Sequence, residues 1–189
     1  MRSVLARLST FNQGILIINS EMERLELLIS DLIDFNKYNK NSLQISKQNN
    51  DLKAFLLDMA AMYQKYDIRV SYSQNEYNLR FDIDRMKQVF HNLIQNSIKF
   101  RGSSLVKIEI DLSTENEYYV IKYRDYGTEM TLDEVHHMFD KFYKGNKVMP
   151  GVGLGLYVVK EIIQAHKGRN RGIYVDKGIS LVILLPINV

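Results

Sequence analysis

Asn92, Asn96 and Lys99 stand at i, i+4 and i+7, which puts them on one face of any helix that carries them. An amide oxygen can ligate Mg²⁺, and a lysine can meet a phosphate. Asparagine is a poor helix former, so a pair at this spacing asks for a reason, although a solvated face would also accept it. Residues 151–156 read GVGLGL and run into an apolar helix. Glycines at alternate positions let a backbone lie against a ligand, and the helix start behind them offers unpaired N–H groups to phosphate. No Lys-Ser/Thr follows, as a Walker loop needs, and Leu156 stands where a dinucleotide fingerprint has its third glycine. Residues 125–130, DYGTEM, place an aspartate at a strand end, where it could accept from a ligand amino group; a plain turn is the alternative. Residues 138–145, MFDKFYKG, set Phe139, Phe142 and Tyr143 beside Lys141 and Lys144, which also fits a small aromatic core under a basic loop.

The elements that must hold these segments follow from periodicity. Ile18, Met22, Leu25, Ile29 and Leu32 are spaced four, three, four, three, the seam of a bundle or coiled coil. Leu28, Ile33 and Phe35 widen that stripe, so the helix 14–40 needs a partner, and dimerisation through a four-helix bundle is expected over an internal hairpin. The polar stretch 36–50 is the domain boundary, with a short strand around Leu43 and Ile45 and then a turn. A helix begins near Leu52. Arg69–Ser73 and Leu79–Ile83 alternate like strands. Asp82 and Asp84 are N-cap candidates for a helix to about Phe100 that buries Met86, Val89, Phe90, Leu93 and Ser97. A hairpin joins 105–112 to 118–124 across Ser113–Glu117. Thr131 starts a short helix, 154–167 form another, and Ile173–Val175 and Ile179–Leu185 close with strands. The fold class is α+β, a sandwich with a mixed or antiparallel sheet.

Composition narrows the chemistry. The chain has 189 residues, 46% hydrophobic and 25% charged, which fits a globular protein and not a disordered one. The absence of cysteine removes disulfide scaffolds, zinc fingers, iron–sulfur sites and thiol nucleophiles. A net charge of +3 gives no footing for nucleic acid. The N-terminal half holds no apolar run near the ~20 residues of a membrane span, so no membrane contact by this segment is expected, and the location is cytoplasmic or the cytosolic part of a membrane-anchored sensor. The four histidines are His91, His136, His137 and His166. The first three read as surface or packing residues, and His166 as a cation at a helix C-terminus.

In order and spacing, the four segments resemble the nucleotide-binding (Bergerat, GHKL-type) domain of sensor histidine kinases. DIDRMKQVFHNLIQNSIKF (82–100) resembles the asparagine box, DYGTEM the first glycine box, MFDKFYKG the phenylalanine box and GVGLGL the second glycine box. VVKEIIQAHKG (158–168) and ISLVILLP (179–186) fit the family's ending. The resemblance implies a mixed sheet under three helices, preceded by dimerisation helices in 1–42, with the ATP-binding domain in 43–189. It implies ATP and Mg²⁺ as cofactors and a response regulator as partner. Asn96 would be the main Mg²⁺ ligand, supported by Asn92, with Lys99 near the phosphates and Phe100 near the nucleoside. Asp125 would accept from the adenine amino group and Gly127 would give the base room. Gly151, Gly153 and Gly155 would line the triphosphate, and Lys144 would reach it from a lid at Gly145–Pro150.

The sequence departs from the family pattern at two places. Glu129 stands where the first glycine box ends in glycine, so a charge there would repel phosphate and weaken the nucleotide. No histidine precedes His91, whereas the family's phosphoacceptor lies on the first bundle helix. The start, MRSVLARLS, resembles the stretch after that residue, which would put the acceptor two positions before Met1. The related ATPases carry a water-activating glutamate where this chain has Asn92, which favours kinase over hydrolase. The expected activity is transfer of the γ-phosphoryl of Mg·ATP to a histidine outside the chain, without autophosphorylation. Two alternatives are a non-catalytic dimeric scaffold or phosphotransfer protein with a weakened nucleotide site, and a serine kinase of the same superfamily, which the helix 14–40 counts against.

Overall fold

A computed structural model of the protein describes Met22 and residues 43–101, 105–145 and 152–188. The expected dimerisation helices (Met22 apart), the lid residues 146–150 and Gly151 lie outside the described residues. The elements are β1 (Gln48–Asp51), α1 (Leu52–Met62), β2 (Asp67–Tyr72), β3 (Asn78–Phe81), α2 (Ile83–Lys99), β4 (Lys107–Glu115), β5 (Tyr118–Asp125), α3 (Leu132–His137), α4 (Gly155–Ala165), β6 (Arg169–Ile173) and β7 (Ser180–Pro186). The main sheet is five-stranded in the order β2-β4-β5-β7-β6. Only β2 and β4 run parallel, and the other three pairings are antiparallel. The parallel pair needs a crossover, which β3 and α2 supply. The α+β sandwich with a mixed sheet is therefore the observed fold class.

Alternation sorts the sheet's side chains to two faces, strictly in β4, whereas β5 and β7 also bury Val120 and Val182 on the opposite face. Ile108, Ile110 and Leu112 of β4, Ile121 and Tyr123 of β5, and Leu181, Ile183 and Leu185 of β7 are buried in one core. Three helices fill its other side. They contribute Leu52, Phe55, Leu56 and Met59 from α1, Met86, Val89, Phe90, Leu93 and Ile94 from α2, and Val158, Val159, Ile162 and Ile163 from α4. The helical wheel drawn from the sequence thus gives the buried face of α2 correctly, including Ser97 at 2% exposure.

Most expected elements shift by a few residues at their ends, and three boundaries differ for a physical reason. The first strand is Gln48–Asp51, where a turn was expected after a strand at Leu43 and Ile45. It pairs only with β3, Gln48 opposite Phe81, so backbone bonding rather than an apolar face defines it. The sixth strand is Arg169–Ile173 rather than Ile173–Val175. It is an edge strand, and its polar sequence lacks alternation. The β4–β5 hairpin narrows to Asn116-Glu117, with Asn116 at φ +53°, a conformation asparagine tolerates.

Asp82 joins several elements at the base of α2. Its Oδ1 accepts from the N–H groups of Asp84 and Arg85, both at 3.1 Å, which caps the helix. Its Oδ2 accepts from Ser46 N–H at 2.8 Å. Burial alone would raise its pKa, but these N–H donors hold the carboxyl below its ordinary value. Its own N–H donates to His166 Nε2 at 3.0 Å. His166 Nδ1 lies 2.8 Å from Ile162 O, so Nδ1 carries the proton and Nε2 accepts. His166 is therefore not the expected cation at a helix end. It is 4% exposed and neutral, and burial lowers its pKa.

A histidine held neutral by folding stabilises the protein above its unfolded pKa of about 6.5, and that contribution fades as pH falls below it. The denaturant midpoint should drop between pH 7.5 and pH 5.5. His166→Gln keeps an acceptor for the Asp82 N–H without titrating, so its midpoint should drop less over the same interval. Equal slopes in the two proteins would refute this account of His166.

Candidate functional site

The polar face of α2 forms one wall of a cavity of about 1000 Å³. Asn92, Asn96, Lys99 and Phe100 all line it. Asn92 Nδ2 donates to Gly155 O at 3.2 Å, which ties α2 to the start of α4. Lys99 Nζ lies 5.2 Å from the centre of the Phe100 ring, a cation–π distance. Phe100 caps α2, and its carbonyl accepts from both the N–H and the Oγ1–H of Thr128, at 2.8 and 2.6 Å. These two bonds lash the DYGTEM loop to the end of the helix. A β carbon at Gly127 would sit 2.8 Å from Phe100 O, so this close backbone approach admits glycine only.

Asp125 lies at the end of β5, beneath the cavity, and is 3% exposed. A buried carboxylate needs donors. Its Oδ1 accepts from Ile179 N–H at 2.7 Å and from Gly127 N–H at 3.2 Å. Its Oδ2 lies 2.5 Å from Ser97 Oγ, which also lies 2.7 Å from the Tyr123 hydroxyl and 3.2 Å from Leu93 O. Burial pushes the Tyr123 phenol far up, so it stays protonated. Gly178 completes this seat. It has φ +74°, and a β carbon there would lie 2.3 Å from Asp125 Oδ1.

The opposite wall comes from the phenylalanine and second glycine boxes. Phe142 N–H donates to Gly153 O at 3.0 Å, joining them. Gly153 has φ +78°, and a β carbon there would strike Tyr143 O at 2.6 Å. Gly155 is different. A β carbon would meet Asn96 Nδ2 at 3.8 Å and Asn92 Cγ at 3.9 Å, ordinary contacts, so the protein's own packing does not demand glycine. Its bare backbone faces the asparagine amides instead. The helix that begins there has no side-chain cap, which leaves first-turn N–H groups for an anion. Lys144 and Glu129 are exposed on the cavity rim. Thr131 and Glu134 form a capping box at α3, and Glu134 is buried beside Gly145.

Seven of the expected site residues thus share one cavity: Asn92, Asn96, Lys99, Phe100, Lys144, Gly153 and Gly155. Asp125 and Gly127 lie just behind its lining, and Gly151 is outside the described residues. Sequence reasoning missed Ile179, Gly178 and Thr128. The only signal for Gly178 is its place in a turn before the last strand. Reasoning from sequence also missed the wall formed by Met59, Met62, Tyr63, His91 and Gln95. There the Tyr63 hydroxyl lies 2.6 Å from His91 Nδ1, within hydrogen-bond distance, and desolvation lowers the histidine's pKa.

Among the described residues no cluster of three acidic, histidine or cysteine ligands could cage a metal. A hard cation here would have to share the Asn96 amide oxygen with an incoming ligand's own oxygens and with water, a usual arrangement for Mg²⁺. The donor set fits that ion in company with a phosphate. No described helix is long and apolar enough to cross a membrane.

The sensor protein kinase WalK of Staphylococcus aureus is 30% identical over 187 residues, covering 94% of this chain. The chain spans about a third of that relative, 31% of its length. The crystal structure of full-length ShkA in complex with AMPPNP has a fold similar to 92% of this chain and 38% of its own, at TM-score 0.76 and 18% identity. Histidine kinase ThkA in complex with the response regulator protein TrrA is similar over 95% of this chain and 52% of its own, at TM-score 0.73 and 19% identity. At these identities the two structures speak to the fold. Residues 81–188 match the family described as histidine kinase-, DNA gyrase B- and HSP90-like ATPase, and with more than half its length inside that match the chain belongs to this family.

Proposed function

We propose that the chain is the Mg·ATP-binding catalytic core of a two-component histidine kinase, and that it transfers the γ-phosphoryl group to a histidine on another segment or chain. One observation carries the reading. The asparagine amides and the uncapped start of α4 line a single cavity, and the buried Asp125 carboxylate lies behind Ile179 in its wall. In this reading Asp125 recognises the adenine edge and Phe100 lies against the nucleoside. Lys99, Lys144 and the amides at Gly151, Gly153 and Gly155 neutralise and orient the phosphates. Asn96 and Asn92 would hold Mg²⁺, which would supply charge neutralisation at the phosphates. Phosphoryl transfer depends chiefly on positioning and charge, which such residues provide.

The tether from Asn92 to Gly155 O also bears on reaction type. That side chain is amide, not carboxylate, and its N–H is already committed to α4, so it has no means of deprotonating a water. Transfer to a protein acceptor is favoured over hydrolysis. By likeness to ThkA in complex with TrrA, one partner is a response regulator, and the wide apolar stripe of residues 14–40 supports a second copy of the chain as the other. The domain division is 1–42 and 43–189, and the expected setting is the cytoplasm.

A non-hydrolysable ATP analogue with Mg²⁺ should raise the melting temperature, and no shift at millimolar analogue would sink the proposal. The chain alone should not incorporate phosphate from ATP, but it should label a supplied histidine-bearing bundle in trans. Asn96→Ala should weaken Mg²⁺-dependent nucleotide binding by about tenfold or more, ~1.4 kcal/mol, read by titration calorimetry.

Glu129 on the cavity rim supports the rival reading of a scaffold with an eroded site. Its exposure lets solvent and salt screen the charge. Glu129→Gly should therefore change ATP affinity by less than about threefold. A gain of two orders of magnitude would instead favour the eroded site.

A further inference from the structure

Tyr123 is 1% exposed, and among the described residues its hydroxyl has one partner, Ser97 Oγ at 2.7 Å. A buried phenol must place its proton on an acceptor, or the oxygen loses a hydrogen bond it made in water. Tyr123 therefore donates to Ser97. Ser97 in turn has one proton and two acceptors in reach, Leu93 O at 3.2 Å and Asp125 Oδ2 at 2.5 Å. Turned toward Leu93, it would leave two oxygens facing each other at 2.5 Å with no proton between them. The proton thus lies on the Asp125 side, and the chain of hydroxyls runs from Tyr123 to Ser97 to Asp125.

The direction of that chain has a chemical result. With the tyrosine proton fixed at the far end, the relay cannot reverse to take a proton from Asp125. The carboxylate is held as an acceptor. It offers about four lone-pair positions. Ile179 N–H and Gly127 N–H take the two on Oδ1, and Ser97 takes one on Oδ2. One remains.

We infer that Ser97 and Tyr123 are positioning residues that set base specificity: they leave Asp125 one acceptor site, which rewards a purine carrying a 6-amino donor and penalises one carrying a 6-oxo acceptor. The inference rests on the nucleotide reading above and deepens it. Neither hydroxyl need touch the base. Each acts through Asp125, so their loss should be felt only by a ligand that uses the last lone pair.

The test measures dissociation constants for ATP, inosine triphosphate and purine riboside triphosphate, each with Mg²⁺, on the whole chain. Inosine carries oxygen at position 6 and purine riboside carries hydrogen. The unaltered chain should prefer ATP to both. Ser97→Ala should weaken ATP about tenfold, with purine riboside triphosphate unchanged within about twofold. Tyr123→Phe removes one oxygen at constant shape and should act in the same direction, so it serves if Ser97→Ala does not fold. Parallel loss for all three nucleotides, or an ATP-to-inosine ratio that neither variant moves, overturns the inference. An unaltered chain that binds none of the three overturns the nucleotide reading itself, a separate outcome.

Discussion

Asp125 holds a charge almost wholly out of water, and an unpaired buried carboxylate costs several kcal/mol. Its donors come from parts of the chain far apart in sequence. Ser97 belongs to α2, Gly127 to the loop after β5, and Ile179 to the approach to β7. Each donor must arrive within about 3 Å, so the carboxylate fixes the height of α2 over the sheet and the register between β5 and β7. Phe100 does the same for backbone groups, collecting both donors of Thr128. The cavity is the space left once these constraints are met.

A second seat of the same kind lies at the base of α2. Asp82 caps the helix, accepts from Ser46 and donates to the neutral ring of His166. The N-terminus of α2 is thereby joined to the C-terminus of α4. At the other end of α4, Asn92 grips Gly155 O. Both ends of α4 are thus pinned to α2, at its N-terminus and at its middle, which fixes the asparagine face against the uncapped start of α4. Glycine enters where backbone crowds backbone, at 127 and 153, while at 155 it leaves a face open.

Much of this was legible in the sequence, for physical reasons that differ by element. Alternation in β4, the apolar runs of β5 and β7 and the wheel of α2 reflect burial, and burial is written in apolar patterning. The strand Gln48–Asp51 was misread because it pairs with one partner through its backbone and carries no apolar signature. The edge strand Arg169–Ile173 was shifted for the same reason. The wall residues Asn92, Asn96, Lys99 and Phe100 were found because their spacing is local. Gly178 and Ile179 were not, because their part is played across the fold, on an aspartate 54 positions from Ile179. His166 was mistaken for a cation because a helix end looks alike in sequence whether it is wet or dry.

The separation between Asp125 and Ile179 also bears on the order in which the molecule assembles. Hairpins such as β4–β5 close early because their loops are short, whereas contacts between distant segments must first absorb the entropy of closing a long loop. The parallel pairing of β2 with β4 and the bond from Ile179 to Asp125 both belong to the slow class. The carboxylate therefore gains its full set of donors only after the last strand has docked. On a ribosome that strand emerges after every other described element, so a growing chain can build its helices and hairpin before it has a place to hold a nucleotide.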